Sequence, residues 1–155
     1  MRIIIGGGGR VGTELARALR NEGKDVVLVD NDARAVKNAQ GIDILVLHGD
    51  ITQRDKFIEA GIEESEVYVA ATDSDERNIL SCALAKHAHR EANDGKNELL
   101  TICRIRDPIF IKESKSGKLS QWSGVDQVVH PVDGAIERLM SGLRSSSLTE
   151  VIPFE

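Results

Sequence analysis

The sequence predicts an α/β domain, a doubly wound parallel sheet of about six strands with helices on both faces. Two observations carry the prediction. Short β-branched runs recur along the 155 residues, and segments of helical period with short connections separate them. The runs are rich in Val, Ile and Leu throughout, as parallel strands covered on both faces require.

The first run, Arg2–Ile5, passes directly into Gly6-Gly7-Gly8-Gly9. A helix follows, because Val11, Leu15, Ala18 and Leu19 fall at i, i+4, i+7 and i+8, and Gly23 ends it. Strands Asp25–Val29 and Ile44–Leu47 come next, then a helix that starts near Thr52 and stops at Gly61. Strand Glu66–Ala71 leads into a longer helix through Ile79, Leu80, Ala83, Leu84 and Lys86, running towards Arg90. The polar stretch EANDGKN, Glu91–Asn97, has turn chemistry and precedes strand Leu99–Arg104. Pro108 suits the first turn of a further helix, and KESKSGK, Lys112–Lys118, suits a solvated helix face. Strand Gln127–His130 closes the sheet, and a helix carrying Ala135, Ile136, Leu139, Met140 and Leu143 follows it. The final LTEVIPFE has the pattern of a strand beginning.

Bulk properties narrow the function. A net charge of −5 argues against nucleic acid, whose phosphates demand clustered Lys and Arg. No apolar run reaches the ~20 residues of a membrane helix, and the glycines interrupt any signal-peptide core. The expectation is a soluble, cytoplasmic chain without direct membrane insertion. Cys82 and Cys103 stand alone, without metal-ligand spacing, and suit buried reduced thiols.

Gly7-Gly8-Gly9-Arg10-Val11-Gly12 satisfies G-x-G-x-x-G between the first strand and the first helix, the context in which that pattern is specific. Gly7 makes the tight turn, Gly9 admits a pyrophosphate to the backbone, and Gly12 allows the helix to pack closely. The helix N-terminus then offers unpaired N–H groups to the phosphates. Asp30 ends the second strand, where an acid accepts from ribose hydroxyls and repels a 2′-phosphate, so NADP is disfavoured. Asp32 suits a helix N-cap.

Further residues collect at the same carboxyl edge. Asp50 in His48-Gly49-Asp50 suits either an adenine amino group or a cap for the helix near Thr52. Thr72 and Asp75 have capping-box-like spacing, so Thr72 and Asp73 suit capping or ligand contact equally. Asn78 is a poor helix former inside a helical segment, which leaves room for a functional role. Arg104 in RIRDP faces two readings, a phosphate or carboxylate contact and a surface ion pair. Hydrolase and metal motifs are missing: there is no G-x-S-x-G and no H-E-x-x-H, and His87 and His89 point to different helix faces. Tyr68 lies inside a strand with no lysine four residues on, so no catalytic constellation is legible.

In their order and spacing, IIIGGGGRVG, VVLVDND, the HGD edge, VAATDSDERN and RIRDP resemble the TrkA N-terminal domain, also called the RCK or KTN domain. The resemblance covers about residues 1–145, and A-T-x-x-D-x-x-N with R-x-R-x-P is its specific part. It implies a Rossmann-like regulatory module that binds NAD(H) or ATP/ADP and catalyses nothing. The implied contacts are Gly7, Gly8, Gly9, Arg10, Val11, Gly12, Asp30, Gly49, Asp50, Thr72, Asp73 and Arg104. Arg10 matches a position from which some ATP-binding members reach the phosphates. The implied partners are a second copy of the chain and an integral membrane potassium transporter or channel. The implied layout is a nucleotide-binding domain over 1–130, a crossover and dimerisation helix over 131–145, and the start of a C-terminal lobe or a linker over 146–155. Packing on the home sheet is the other reading of that helix. Gly6 departs from the family pattern, which has an apolar residue there, and EANDGKN looks longer than typical. The alternatives to a potassium-uptake regulator are a small NAD-dependent oxidoreductase and an assembly module with a vestigial site.

Overall fold

The computed structural model describes residues 1–130 together with Glu137 and Ser141. The helix expected around 132–143 and the strand-like segment 146–155 lie outside the described residues. The strands are β1 (Arg2–Gly6), β2 (Asp25–Asp30), β3 (Leu45–His48), β4 (Ser65–Ala70), β5 (Leu100–Arg104) and β6 (Gln127–Val129). Between them run α1 (Arg10–Asn21), α2 (Ala33–Ala39), α3 (Arg54–Glu59), α4 (Asp75–Ala92), α5 (Pro108–Lys115) and α6 (Lys118–Trp122). All described pairings are parallel, in the order β3-β2-β1-β4-β5-β6. Each expected strand is present, with bounds moved by one residue.

The pleat explains why the strands are apolar without alternation. Ile3 and Ile5 face one layer with Leu15, Leu19, Leu28 and Val69, while Ile4 faces the other with Phe57, Tyr68, Ile79 and Leu99. Ile3, Ile4 and Ile5 are all fully buried, each contributing about 1.5–3 kcal/mol relative to exposure. Helices cover both faces, as a parallel sheet requires.

Glycines end the helices by local geometry. Gly23 at φ +82° donates to the Arg20 carbonyl and Lys24 to that of Leu19, a Schellman motif closing α1. Gly61, at φ +83°, stops the turn after α3. Two expectations shift. Gly117, at φ +81°, splits the expected KESKSGK helix into α5 and α6, because the left-handed residue cannot continue the spiral. α4 also absorbs Glu91 and Ala92, leaving the turn at Asn93–Asn97. No helix among the described residues is long and apolar enough to cross a membrane.

Strand order positions the site. The chain leaves β1 for β2 on one side and continues later to β4 on the other, so connections diverge above the end of β1. That switch point is where open α/β sheets bind ligands.

Candidate functional site

A cleft of about 430 Å³ opens at the carboxyl ends of the strands, above the switch point between β1 and β4. Gly7, Gly9, Arg10, Val11, Asp30, Thr72, Asp73 and Arg104 all line it, which brings together most of the residues singled out in the sequence.

The glycine turn divides its labour. Gly7 has φ +117°, and a Cβ there would press at 2.9 Å on the Ala71 carbonyl and the Thr72 nitrogen. A Cβ on Gly12 would run into the Gly7 carbonyl oxygen, so its glycine lets α1 sit against the turn. Around Gly9 there is open space, and Gly9 is the N-cap of α1 without any side-chain cap. The N–H groups of the first turn of α1 thus face the cleft without a capping side chain. Gly8 and Gly12 do not line the cleft; the Gly8 N–H donates to Asp30 Oδ2 instead. Asp30 Oδ1 accepts from the Asp32 N–H at 2.7 Å, and Asp32 in turn caps α2 through the Arg34 N–H, as expected. The Asp30 carboxylate therefore ties the end of β2 to the glycine turn while facing the cleft.

The β3 edge is arranged differently from the sequence expectation. Neither Gly49 nor Asp50 lines the cleft; the Gly49 N–H donates to the Asp30 carbonyl at 2.9 Å, and its missing Cβ leaves room for Lys56. Asp50 is not the cap of α3, whose N-cap, Gln53, makes no side-chain cap hydrogen bond. Its Oδ1 accepts from the Thr52 N–H at 2.8 Å, from the Thr52 hydroxyl at 2.7 Å and from Arg77 Nη2 at 2.7 Å. The Thr52 hydroxyl first, then the Thr52 N–H and Arg77, lower its pKa against the opposing effect of burial.

At the β4 edge Ser74, not Thr72, caps α4, accepting from the Arg77 N–H at 3.2 Å. The expected Thr72–Asp75 capping box does not form, because Thr72 stands two residues before the N-cap. Asp75 accepts instead from the N–H groups of Arg106 at 3.0 Å and Asp107 at 2.7 Å, holding the β5–α5 loop. Asn78 supplies the reason for a poor helix former in α4. Fully buried, its Oδ1 accepts from the Thr72 N–H and hydroxyl, and its Nδ2 donates to the carbonyls of Thr72 and Arg104. Arg104 Nη1 reaches the Thr72 carbonyl and Asp73 Oδ1, each at 3.3 Å, and its buried Nε has no partner among the described residues. That orphaned donor suits an acceptor brought by a ligand.

Arg77, Asn31, Ala35 and Ile51 also line the cleft and were not singled out in the sequence. Arg77 stands beside Asn78 in the A-T-x-x-D-x-x-N stretch, the only signal that pointed to it. Three arginines and three aspartates thus share the walls, namely Arg10, Arg77 and Arg104 with Asp30, Asp32 and Asp73. Among the described residues no His, Cys, Asp and Glu cluster could hold a metal ion. Tyr68 is fully buried away from the cleft, and burial pushes its hydroxyl well above the ordinary range.

A family model of the TrkA-N domain matches residues 3–131. The Trk system potassium uptake protein TrkA homolog of Pyrococcus horikoshii is 35% identical over 159 residues, covering 98% of this chain and 64% of that protein. The chain thus spans less than two thirds of that relative. The GsuK channel bound to NAD shares the fold with a TM-score of 0.61 and 17% identity, over 82% of this chain and 21% of that one. The Shewanella denitrificans Kef CTD in AMP-bound form has a TM-score of 0.56 and 19% identity, over 96% and 81% of the two chains. These curated and structural likenesses carry potassium-uptake names rather than enzymatic ones where identity is high, and show the fold alone where it is low. The family match takes in the sheet, the glycine turn and the cleft, and the chain belongs to the TrkA-N domain family.

Proposed function

We propose that this chain is a nucleotide-binding regulatory domain of a potassium uptake system, taking NAD(H) or ATP/ADP in the cleft over β1 and β4. One observation carries the reading: the uncapped N-terminus of α1 and the Asp30 carboxylate face the same opening. Phosphates belong at the first, where N–H groups and the helix dipole favour negative charge. Ribose hydroxyls belong at the second, which accepts hydrogen bonds. A neighbour of the same fold bound to NAD and another bound to AMP support an adenine nucleotide.

In this reading the domain is cytoplasmic and pairs with a second copy, and ligand-dependent geometry of the pair gates an integral membrane potassium transporter or channel. Such gating requires the nucleotide to bind one arrangement better than the other. The oxidoreductase alternative needs an acid–base group beside the nicotinamide. The sole tyrosine does not meet that need, since its buried hydroxyl donates to Ser81 Oγ at 2.8 Å.

Titration calorimetry with NAD, NADH, ATP and ADP tests the proposal. Binding of at least one is expected, and no heat with any of them overturns it. Asp30→Ala is expected to weaken that binding by about 2 kcal/mol, roughly 30-fold, through lost charge-assisted hydrogen bonds. An unchanged affinity in this variant would favour the vestigial-site reading.

A further inference from the structure

A second opening, of about 540 Å³, lies at the other end of the sheet, between the amino ends of β1, β4 and β5 and the last turn of α4. It shares no lining residue with the cleft over β1 and β4. Strands of five and six residues, at about 3.3 Å each, set the two about 17–20 Å apart. Glu63, Glu64, Glu66 and Glu98 line this groove, and no lysine or arginine does. Four carboxylates thus stand against the one amino group of Met1. Glu64 is partly engaged by Arg2 at 3.4 Å, whereas Glu63, Glu66 and Glu98 make no ion pair among the described residues.

The groove also has a buried acceptor. His89 lines it and is only 4% exposed. The Ser65 backbone carbonyl accepts from one ring nitrogen, and the other has no partner among the described residues. Burial lowers the His89 pKa against the opposing effect of that carbonyl, so at neutral pH the second nitrogen carries a lone pair. Asn93, the C-cap of α4, spends its Nδ2 on the carbonyls of Glu63 and His89, at 3.2 and 2.9 Å, which leaves Oδ1 as its open end. The negative end of the α4 dipole adds to the same field. A buried acceptor beneath a set of carboxylates calls for donors that carry positive charge. Val67 and Leu100 add an apolar base for the methylene stem of a lysine or arginine.

Resting on the reading of this chain as a potassium-uptake regulator, we propose that the groove receives a lysine- or arginine-bearing cytoplasmic segment of the membrane partner. Cytoplasmic loops of membrane proteins carry an excess of these residues, and an acceptor-lined groove is their complement. One basic side chain reaches His89 while its neighbours along the segment meet the glutamates at the rim. Because the groove is at the amino ends of the strands, docking there leaves the opposite cleft free for nucleotide.

The test titrates a blocked hexapeptide carrying three arginines into the isotope-labelled 155-residue chain and follows the amide NMR shifts at low salt. Shifts are expected to gather at residues 63–67 and 89–98 and to leave the glycine turn unmoved. Glu66→Gln/Glu98→Gln is expected to weaken the peptide about fivefold, the scale of two exposed charge pairs. His89→Phe keeps a buried ring without the acceptor and is expected to weaken it about threefold. Asp43→Asn/Asp55→Asn removes the same charge outside the groove and is expected to bind as the wild type does. Circular dichroism of each variant establishes that it is folded. Shifts that are absent or scattered, or a groove variant that binds no more weakly than the Asp43/Asp55 control, overturn the proposal. So does spermidine, of the same charge, binding the groove as tightly as the peptide, since that marks a small-molecule site. Nucleotide calorimetry on the same proteins keeps the two readings apart. Nucleotide binding without peptide binding overturns the docking site alone, and a wild type that binds neither overturns both.

Discussion

Gly6→Ala is the most informative single perturbation of this domain. Gly6 ends β1 at the base of the glycine turn, and a Cβ there would strike the Tyr68 hydroxyl, with Tyr68 Cζ and Ile51 Cγ2 each at 3.1 Å. The ring has no room to retreat. Phe57 packs edge-on against it, with centroids 5.0 Å apart and planes at 85°, and its hydroxyl donates to Ser81 Oγ at 2.8 Å. Accommodating the methyl therefore means overpacking, at about 1–3 kcal/mol, or breaking a buried hydrogen bond at a similar cost. A loss of about 3 kcal/mol is expected for Gly6→Ala. Tyr68→Phe alone is expected to cost about 1 kcal/mol, because Ser81 Oγ still donates to the Asn78 carbonyl at 3.0 Å. In Gly6→Ala/Tyr68→Phe the hydroxyl is gone, so the double variant is expected to lose about 2 kcal/mol rather than about 4. Urea unfolding of the four proteins, followed by circular dichroism, gives the coupling. A coupling energy below about 0.5 kcal/mol, the ordinary error of additivity, would refute the steric account of Gly6.

Four further outcomes follow from the same structure. Gly9→Ala enters open space at an ordinary φ of −75°, so its thermal midpoint should stay near wild type while nucleotide affinity falls tenfold or more as the Cβ meets the phosphates. Gly12→Ala should instead be strongly destabilised, by about 2 kcal/mol or more on the same melts, because its Cβ meets the Gly7 carbonyl. Asn78→Ala should cost about 2–4 kcal/mol in urea unfolding, since it strands buried groups of Thr72 and the Arg104 carbonyl. Burial lowers the His89 pKa below its ordinary 6.5, so the unfolded chain binds more protons just below that pH. Its contribution is complete above pH 6.5 and is lost as pH falls through the folded pKa; His89→Gln should flatten that limb in a pH series of urea midpoints.

Gly6 also marks where reading the chain alone reached its end. Its departure from the family pattern was visible, but its cause sits on Tyr68, in another strand, and becomes visible only when β1 and β4 lie side by side. The same holds at the edge of α4. Ser, Thr and Asp at successive positions all suit an N-cap, and only the backbone trajectory decides for Ser74. Gly49 looked like part of the ligand edge by its neighbours in the sequence, whereas the fold spends it on room for Lys56.

Local spacing was enough for the rest. Apolar runs, helical period and terminating glycines are properties of a few adjacent residues, so the strands, most helix ends, the turn at Gly7–Gly12 and the placing of Asp30 were legible in the chain. Parallel strands, however, are joined by crossovers, and a crossover brings side chains together without any mark in the sequence between them. Asn78 reaches Arg104 across 26 residues and Arg77 reaches Asp50 across 27. Those partnerships exist because every strand delivers its carboxyl end to one edge, and the register across that edge is set by packing of the whole sheet.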